Sequence, residues 1–327
     1  MTIQIDLLWC VMFLNRIGIL VPTISKTRKH VIRPMMTAQK SNIQLVYGQA
    51  IEIVDGKIYL ENQEVQALYD RFPYQKHAHN DPLKKTIDIP VANPRSISLL
   101  CKDKWMLQQH MEKHHISMPT VVRSHLDMWR KRWGGSAIAK PRFGSYGAGV
   151  SVVSSIPPST LPSVVGEEET IMQKRIIPPK GWAGIAVRQL AQRLPNRKWI
   201  VRTAIVRRSK IDPIVNVHRG AEVVLASSFL PPKTCDDIRQ QSLNIANILS
   251  DLPQGEWLLE LGLDFVIDTN WKPWFIEINA QPKGRLRALA TILPHDFSTE
   301  YQQCLAQPIQ SLHAWILNGE KKNNDST

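Results

Sequence analysis

The stretch from Leu261 to Asn279, LGLDFVIDTNWKPWFIEIN, constrains the fold more than any other part of the chain. Two apolar runs flank the polar segment 269–272, and this pattern predicts a β-hairpin with a four-residue turn. A symmetric hairpin places Asp264 opposite Glu277. Side chains alternate between the two faces of a strand, so Asn279 is expected on the same face as these two acids.

Two carboxylates that face each other at about 5 Å should repel. A divalent cation between them would remove this repulsion, because hard cations take oxygen ligands from Asp, Glu and Asn side chains. The opposed pair therefore indicates a metal site, and an exposed hairpin face with unrelated acids is the alternative. The register assumes that Asp268 faces Pro273, and a one-residue bulge in the turn would move Asp264 to the other face.

The composition favours a soluble cytoplasmic protein with more than one domain. The chain has 327 residues, of which 43% are hydrophobic, enough for a full core. Its cysteines are scattered without metal-ligand spacing, which predicts free thiols in a reducing compartment. They are Cys10, Cys101, Cys235 and Cys304. The apolar run 7–14 is too short to span a bilayer and lacks the flanks of a signal peptide.

The positive charge of the chain is concentrated in one segment. The formal net charge is +13, and segment 188–219 holds nine Lys or Arg residues against one acid, Asp212. Such a segment attracts anions, including nucleic acids, acidic peptides and phosphates. A solvated face without a partner is an equal alternative. No nucleic-acid-binding motif accompanies the segment, so the sequence disfavours a nucleic-acid partner.

Short strand-like and helix-like segments alternate along the chain, and this order predicts an α/β (α+β) fold. The predicted strands are 17–21, 43–46, 50–54, 57–60, 136–139, 150–153 and 170–177. The predicted helices are 103–115 with Asp103 as its cap, one that begins at Ser124, 234–249 with a cap at Thr234, and 298–317 with a kink at Pro308.

A glycine-rich loop, Gly144 to Gly149, lies between two predicted strands and follows Lys140. It is neither a Walker P-loop nor a dinucleotide-binding fingerprint, because the required spacing and the following helix are absent. Glycines between strands can form a flap whose backbone N–H groups approach phosphates, with the lysine as a nearby cation. A plain hairpin is the alternative.

Together, the lysine, the glycine flap and the acidic hairpin suggest a clamp for a nucleoside triphosphate and Mg²⁺. In order and spacing they resemble the ATP-grasp superfamily. The matches are Lys104 in CKDKW, Lys140 in IAKPRFGSYGAG and the hairpin acids in LGLDFVID and WFIEINAQP. Within this superfamily the chain is similar to the YheC/YheD group, called endospore coat-associated proteins, also at LYDRFPY (68–74) and NPRS (93–96).

The resemblance implies an ATP-grasp fold with an N-terminal pre-ATP-grasp α/β domain. The implied domains are 1–95, a central subdomain 96–178 with the glycine loop, a C-terminal subdomain 179–320 with the metal-binding hairpin, and a flexible tail 321–327. It also implies that ATP is bound with one or two Mg²⁺ ions. The implied metal ligands are Asp264, Glu277 and Asn279. The implied nucleotide-binding residues are Lys104, Lys140, Gly144, Ser145, Tyr146, Gly147, Ala148, Gly149, Gln173 and Lys174.

The resemblance implies a carboxylate–amine ligase that acts through an acyl phosphate. The implied catalytic residues are Arg202 near the γ-phosphate and Asn216 and Arg219 on the acyl side, although Val201 replaces an acid that many relatives carry. The substrate would be a carboxylate or amine, either a small molecule or a peptide, and the basic segment favours an acidic acceptor. A small-molecule kinase and a spore-associated nucleotide-binding protein without turnover are the alternatives. The oligomeric state stays open, and no membrane partner is expected.

Overall fold

A computed structural model gives the fold of residues 15–21, 43–72, 89–122, 133, 136–144, 148–154, 170–282 and 286–324. Within these ranges, seventeen strands form four sheets and five α-helices cover them. The predicted helix from Ser124 and the segments 7–14 and 157–162 lie outside the described residues.

The first part of the chain forms a parallel four-stranded sheet and a small antiparallel one. The parallel sheet has the order β2–β1–β6–β7, and β3, β4 and β5 form the antiparallel sheet. The strands are β1 Asn15–Leu20, β2 Ile43–Gly48, β3 Ile51–Val54, β4 Lys57–Leu60, β5 Gln63–Val65, β6 Ala67–Asp70 and β7 Val91–Ala92. The apolar run of β1 is buried, as parallel strands covered on both faces require.

Two helices and a second antiparallel sheet follow. The helices are α1 Arg95–Lys102 and α2 Lys104–Lys113. The strands are β8 Val121–Val122, β9 Ser136–Pro141, β10 Ser151–Ser154 and β11 Thr170–Lys174. Their order in the sheet is β10–β9–β11–β8, so β9 and β11, which carry Lys140 and Gln173, are the central strands.

The last part of the chain forms a six-stranded antiparallel sheet with the order β15–β14–β12–β16–β17, and β13 pairs with β12. The strands are β12 Gly184–Arg193, β13 Trp199–Val201, β14 Ile205–Ser209, β15 Glu222–Leu225, β16 Glu260–Ile267 and β17 Pro273–Asn279. The helices are α3 Pro232–Ser250, α4 Arg287–Ile292 and α5 Pro294–Asn324. The predicted hairpin is thus formed by the last two strands of the sheet.

Helix α3 covers one face of the six-stranded sheet and leaves the other face for the acids. Its buried residues Ile238, Ile245 and Leu249 belong to one core cluster with Leu263 and Phe265 of β16. Since side chains alternate along a strand, the residues of β16 between these apolar ones point away from α3. Asp264 therefore lies on the face opposite to the main core.

Helix α5 joins the C-terminal sheet to the N-terminal sheet. Leu305, Ile309 and Leu312 of α5 share a buried cluster with Ile17 of β1 and Tyr69 of β6. The same helix also covers part of the acid-bearing face of the six-stranded sheet, where Cys304 packs in a cluster with Leu190, Ile205 and Leu289. The open part of that face begins beyond this cluster, at Arg188.

The strands predicted at 17–21, 43–46, 50–54, 57–60, 136–139, 150–153 and 170–177 are present with shifts at their ends. Helix α2 begins after Asp103, whose carboxylate accepts hydrogen bonds from two N–H groups of the first turn, so this prediction is confirmed. The cap predicted at Thr234 is wrong. The α3 helix begins at Pro232, and the Thr234 hydroxyl donates to the carbonyl of Trp271 at 2.8 Å instead.

Helix α5 is longer than predicted at both ends, since it begins at Pro294 and runs to Asn324 with Pro308 inside it. It therefore continues into the segment predicted as a tail. Among the described residues, no helix combines the length and the apolar character that crossing a bilayer would need.

Candidate nucleotide and metal site

The hairpin of β16 and β17 brings its two acids together in a way that the symmetric turn did not predict. Ile267, not Asp268, faces Pro273, so the predicted pairing at the turn is wrong. The register then shifts by one between Phe265 and Asp264, and Asp264 pairs with Glu277 as predicted. The two irregularities compensate each other. They leave both acids on one face, with Asn279 two residues further along β17.

Asp268 has a different role, because it closes the turn. Its Oδ1 accepts hydrogen bonds from the N–H groups of Asn270 at 2.8 Å and Lys272 at 2.9 Å. Side-chain bonds of this kind from Asp to backbone N–H groups two to four residues ahead stabilise tight turns. An Asp at this position thus ends β16 one residue earlier than the symmetric hairpin requires.

Two arginines neutralise Asp264 in the free protein. Arg188 binds both carboxylate oxygens through Nε and Nη2, at 2.6 and 2.5 Å, and Arg207 Nη2 reaches Oδ1 at 2.9 Å. Burial alone would raise the pKa of Asp264, but the arginines more than offset it and hold this pKa below its ordinary value. The two arginines therefore offset part of the repulsion expected between Asp264 and Glu277.

Gly262 makes room for this ion cluster. It lies two residues before Asp264 on the same face, and a Cβ atom there would lie 3.2 Å from Arg188 Nη1 and 3.1 Å from a carbon of Pro282. Contacts this short require one of the neighbours to move. The glycine therefore lets the guanidinium of Arg188 lie close to the sheet beside Asp264.

On the opposite side of the cleft, an ion pair fixes the start of α2. Arg142 binds both oxygens of Asp103, at 2.6 and 2.5 Å, and its carbonyl accepts the N–H of Lys104 at 3.2 Å. The same Asp103 caps the helix. Because Arg142 follows β9 directly, this bidentate pair ties the helix to that strand and places Lys104 near Lys140.

Lys140 is a buried amine held by Gln173. Its Nζ donates to Gln173 Oε1 at 2.8 Å, and both side chains are at most 4% exposed. Burial lowers the pKa of Lys140 to about 8, and the nearby amine of Lys104 contributes, while the Glu277 carboxylate acts in the opposite direction. An anionic partner would raise this pKa again, because it stabilises the charged form of the Lys140 amine.

Lys104 connects the two sides of the cleft. Its Nζ donates to the carbonyl of Gly144 at 2.9 Å and lies 3.9 Å from Glu277 Oε2. Burial lowers the pKa of Lys104, although Glu277 and Asp103 partly counteract it. Lys104, Lys140, Gln173 and Glu277, all predicted from the sequence, therefore meet in one place.

The glycine loop is described at its two ends. Gly144 receives the bond from Lys104, and Ala148 and Gly149 lead into β10, whereas Ser145, Tyr146 and Gly147 lie outside the described residues. Gly149 has φ of +70°, and a Cβ atom there would lie 2.8 Å from Pro141 Cγ. Only glycine suits this position without strain.

The other predicted site residues lie farther along the sheet. Arg202 donates to Gln192 at 3.0 Å and to Gln307 of α5 at 3.2 Å. Gln192 lies in β12, four residues after Arg188. The Arg202 guanidinium is thus bonded beside α5 rather than beside Asp264.

The acyl-side residues are in the connection between β14 and β15. The carbonyl of Asn216 accepts the N–H of Arg219 at 2.9 Å, and Arg219 Nε binds Asp212 at 2.6 Å. At the predicted adenine strand, the N–H of Lys174 donates to the carbonyl of Thr120 at 2.8 Å and is therefore already used.

Arg188 and Arg207 were missed as site residues, although both belong to the basic segment 188–219. That segment is not one open patch, since most of its cations have partners within the protein. Arg208 binds Glu222 at 2.9 Å, and Arg193 and Arg197 donate to backbone carbonyls beside Trp315. The surplus positive charge predicted for a substrate is therefore largely used by the fold.

The donor atoms on the hairpin fit a hard cation. Asp264, Glu277 and Asn279 can each offer a side-chain oxygen, and within the described part of the chain Oδ2 of Asp264 accepts one hydrogen bond, from Arg188. In the described ranges no group of three or more His, Cys, Asp or Glu side chains could hold a metal. A metal here would thus depend on two carboxylates, one amide and oxygens of a substrate phosphate, which is typical of Mg²⁺.

The fold is the ATP-grasp fold. A D-alanine-D-alanine ligase from Coxiella burnetii superposes with a TM-score of 0.64 at 10% identity, over 95% of this chain and 97% of that chain. The D-alanine--D-alanine ligase from Bacillus anthracis complexed with ATP gives a TM-score of 0.61 at 15% identity, over 94% and 99%. ATP-grasp ligase PsnB, complexed with minimal precursor, Mg and ADP, gives 0.57 at 14%, over 89% and 97%.

Within this fold, residues 157–305 match the family model described as YheC/D like ATP-grasp, which confirms the resemblance to the YheC/YheD group over that segment. A comparison with curated protein sequences finds no match.

Proposed function

We propose that the protein is an ATP- and Mg²⁺-dependent carboxylate–amine ligase that acts through an acyl phosphate. The observation that carries the proposal is that Lys104 and Lys140 lie together opposite the hairpin and that Lys104 approaches Glu277, the partner of Asp264 in the hairpin. Cations on one side and carboxylates on the other suit a triphosphate with its metal. The ligase fold of the similar structures supports the reaction class.

In this proposal the two lysines bind the phosphates of ATP. Lys140 would exchange its bond to Gln173 for phosphate oxygens, and the nearby negative charge would raise its lowered pKa. Lys104 would contact the phosphates from the helix side, while the 144–149 loop covers them. Gln173 and Lys174 are proposed to border the adenine through carbonyl groups of β11.

Glu277, Asn279 and a shared oxygen of Asp264 would hold Mg²⁺. The ion supplies Lewis-acid stabilisation of charge on the transferred phosphoryl group. Asp264 already lies between two arginines, so its carboxylate keeps its negative charge and its orientation before any ligand arrives. The site residues therefore need little rearrangement to receive a phosphate-bound cation.

We propose that Arg188 and Arg207, rather than Arg202, face the reacting end of the site. Arg188 carries N–H groups that could stabilise the developing charge of an acyl phosphate. Arg207 Nε is buried and makes no hydrogen bond within the described residues, so it too could serve an oxyanion. Asn216 and Arg219, on the neighbouring connection, remain proposed for the acyl side.

The reaction begins when a substrate carboxylate attacks the γ-phosphorus of ATP and ADP leaves. An amine then attacks the acyl carbon, phosphate leaves, and the amine loses a proton to solvent. The protein contributes orientation and charge, with no covalent nucleophile of its own. The similar structures named as D-alanine-D-alanine ligases suggest amino-acid-like substrates. Two arginines face one aspartate and leave one positive charge in excess, so we also propose an acidic substrate. A cytoplasmic location and an association with spores are part of the proposal too.

Hydroxylamine trapping tests the proposed function. The protein is incubated with Mg-ATP and a panel of amino acids and acidic dipeptides, and hydroxamate and ADP are measured. A ligase forms hydroxamate and ADP in equal amounts, because hydroxylamine captures the acyl phosphate. A phosphoester with ADP but no hydroxamate would indicate a kinase. Tight ATP binding with neither product would indicate a nucleotide-binding protein without turnover.

A further inference from the structure

The N-terminal part of the chain reaches the base of the metal-binding hairpin. Both ends of the hairpin, at Glu260, the first residue of β16, and at 280–282 after β17, are bound by residues 69–72 and by Asn93. These residues belong to the sequence motifs LYDRFPY and NPRS, and the proposed chemistry gives neither motif a role.

Arg71 links the two ends of the hairpin directly. Its Nη1 donates to Glu260 Oε1 at 2.9 Å, and its Nη2 donates to the carbonyl of Pro282 at 3.1 Å. Arg71 is 4% exposed and Glu260 is fully buried. The Tyr69 hydroxyl also donates to Glu260. A buried arginine with two directed partners holds both ends in one geometry.

The side chain of Asn93 also links the two ends of the hairpin, through their backbone groups. Its Oδ1 accepts the N–H of Leu259 at 2.6 Å, and its Nδ2 donates to the carbonyls of Glu260, at 2.8 Å, and Ala280. Asn93 is 2% exposed, so water competes little with these bonds.

Gln281 connects this anchor to a proposed metal ligand. Its side-chain Nε2 donates to the carbonyls of Asp70 at 3.2 Å and Phe72 at 3.0 Å. Its backbone N–H donates to Asn279 Oδ1 at 2.9 Å, which orients the side-chain oxygen of Asn279. A change at the Gln281 side chain would therefore be transmitted to the atom that would contact the cation.

We infer that Gln281 is a positioning residue for Asn279, and that the 70–72 segment thereby sets the affinity of the hairpin for its divalent cation. This inference rests on the proposed function, because it assumes that Asn279 contacts a metal. Partners that orient a metal ligand typically change metal affinity by about 10- to 100-fold when they are removed. We expect the lower end of that range, because Asp264 and Glu277 would still bind.

The test is Gln281→Met, which keeps the length of the side chain and removes its two donated hydrogen bonds. Arg71 is a poorer choice, because its loss would leave the buried carboxylate of Glu260 without its cation. The matched control is Gln66→Met, since Gln66 Oε1 accepts the N–H of Arg16 at 2.6 Å and makes no contact with the hairpin among its described bonds.

The readout is Mn²⁺ binding in the presence of a non-hydrolysable ATP analogue, followed through the free-ion signal in electron paramagnetic resonance. Gln281→Met should weaken Mn²⁺ binding about tenfold and leave metal-free affinity for the analogue unchanged. Gln66→Met should leave both affinities unchanged, even if both variants lose the same stability in thermal unfolding.

Three results would overturn the inference. Equal Mn²⁺ affinity in wild type and Gln281→Met would show that the anchor is only an interface. A similar loss in Gln66→Met would show that stability, not positioning, governs the affinity. Wild-type protein that binds the analogue but binds no Mn²⁺ would refute the metal site itself, and with it the proposed function.

Discussion

Replacing Lys140 by methionine should stabilise the free protein at neutral pH while it weakens ATP binding. Methionine keeps most of the apolar stem and removes the charge. Burial lowers the pKa of Lys140 from 10.5 to about 8. Each pKa unit corresponds to about 1.4 kcal/mol, so keeping the buried amine charged at pH 7 costs about 3 kcal/mol of unfolding free energy.

The substitution also has a cost. Gln173 Oε1 loses its bond to Lys140 Nζ and stays buried, which costs about 1–3 kcal/mol. The net effect at pH 7 is therefore between about zero and a gain of about 2 kcal/mol. Most core substitutions destabilise, so even a neutral result has diagnostic value.

The pH dependence separates the two contributions. Between pH 8 and 10.5 the unfolded chain binds a proton at Lys140 that the folded protein has released, so wild-type stability rises with pH. Below pH 8 both states hold the proton and the full cost is present. The advantage of Lys140→Met should thus shrink by about 1.4 kcal/mol per pH unit above 8, and it should become a deficit near pH 10.

Urea unfolding at pH 7, 8, 9 and 10 measures this difference, because titrations common to both proteins cancel. The control is Lys180→Met, which removes the charge of an exposed lysine and should show no such slope. ATP affinity of Lys140→Met should fall about tenfold to a hundredfold, as expected for the loss of a hydrogen bond to a charged group. A stability difference that stays constant from pH 7 to 10 would refute the reasoning.

Asp264→Asn should cost about 3–5 kcal/mol of unfolding free energy, because Arg188 and Arg207 lose their shared carboxylate. Urea unfolding measures this loss, and a value below about 1 kcal/mol would contradict the expectation. Glu277→Gln should barely change the melting temperature of the free protein, because Glu277 is 35% exposed, yet it should remove the Mg²⁺-dependent part of the ATP-induced shift. An undiminished shift would exclude Glu277 from the site. ATP affinity of the wild type should fall as pH rises through about 8, where free Lys140 loses its proton, and calorimetry at pH 7 and 9 checks this.

The predicted residues that the structure brings together come from short-range patterns and from the family resemblance. Lys140 was singled out because its strand precedes a glycine loop, and Lys104, at the start of the helix capped by Asp103, was implied by the resemblance. The pairing of Asp264 with Glu277 is also local, because only a short turn separates the strands. Even so, the symmetric turn that predicted this pairing is not formed, because Ile267 and not Asp268 faces Pro273. The register shift between Phe265 and Asp264 brings Asp264 opposite Glu277 again.

The arginines could not be predicted in the same way. Arg188 lies 76 residues from Asp264 in sequence, and Arg207 lies 57 residues from it. Their side chains reach Asp264 only because β12 pairs with both β14 and β16, and no local pattern specifies that order. An arginine that interrupts a buried strand, as Arg188 does in IAVRQL, is nevertheless a signal, since such a charge needs a partner.

The charge of the cleft explains why the two hairpin acids are treated so differently. Asp264 is bound by two arginines, whereas Glu277 stays a third exposed and lies 3.9 Å from Lys104. Among the described residues, with Lys140 counted as charged, four cations then face two carboxylates, which gives this part of the site a positive charge. A triphosphate keeps excess negative charge after one Mg²⁺ has bound, so it complements such a site. Glu277, which no arginine binds among the described residues, is accordingly the carboxylate that we propose to be most available to an incoming metal.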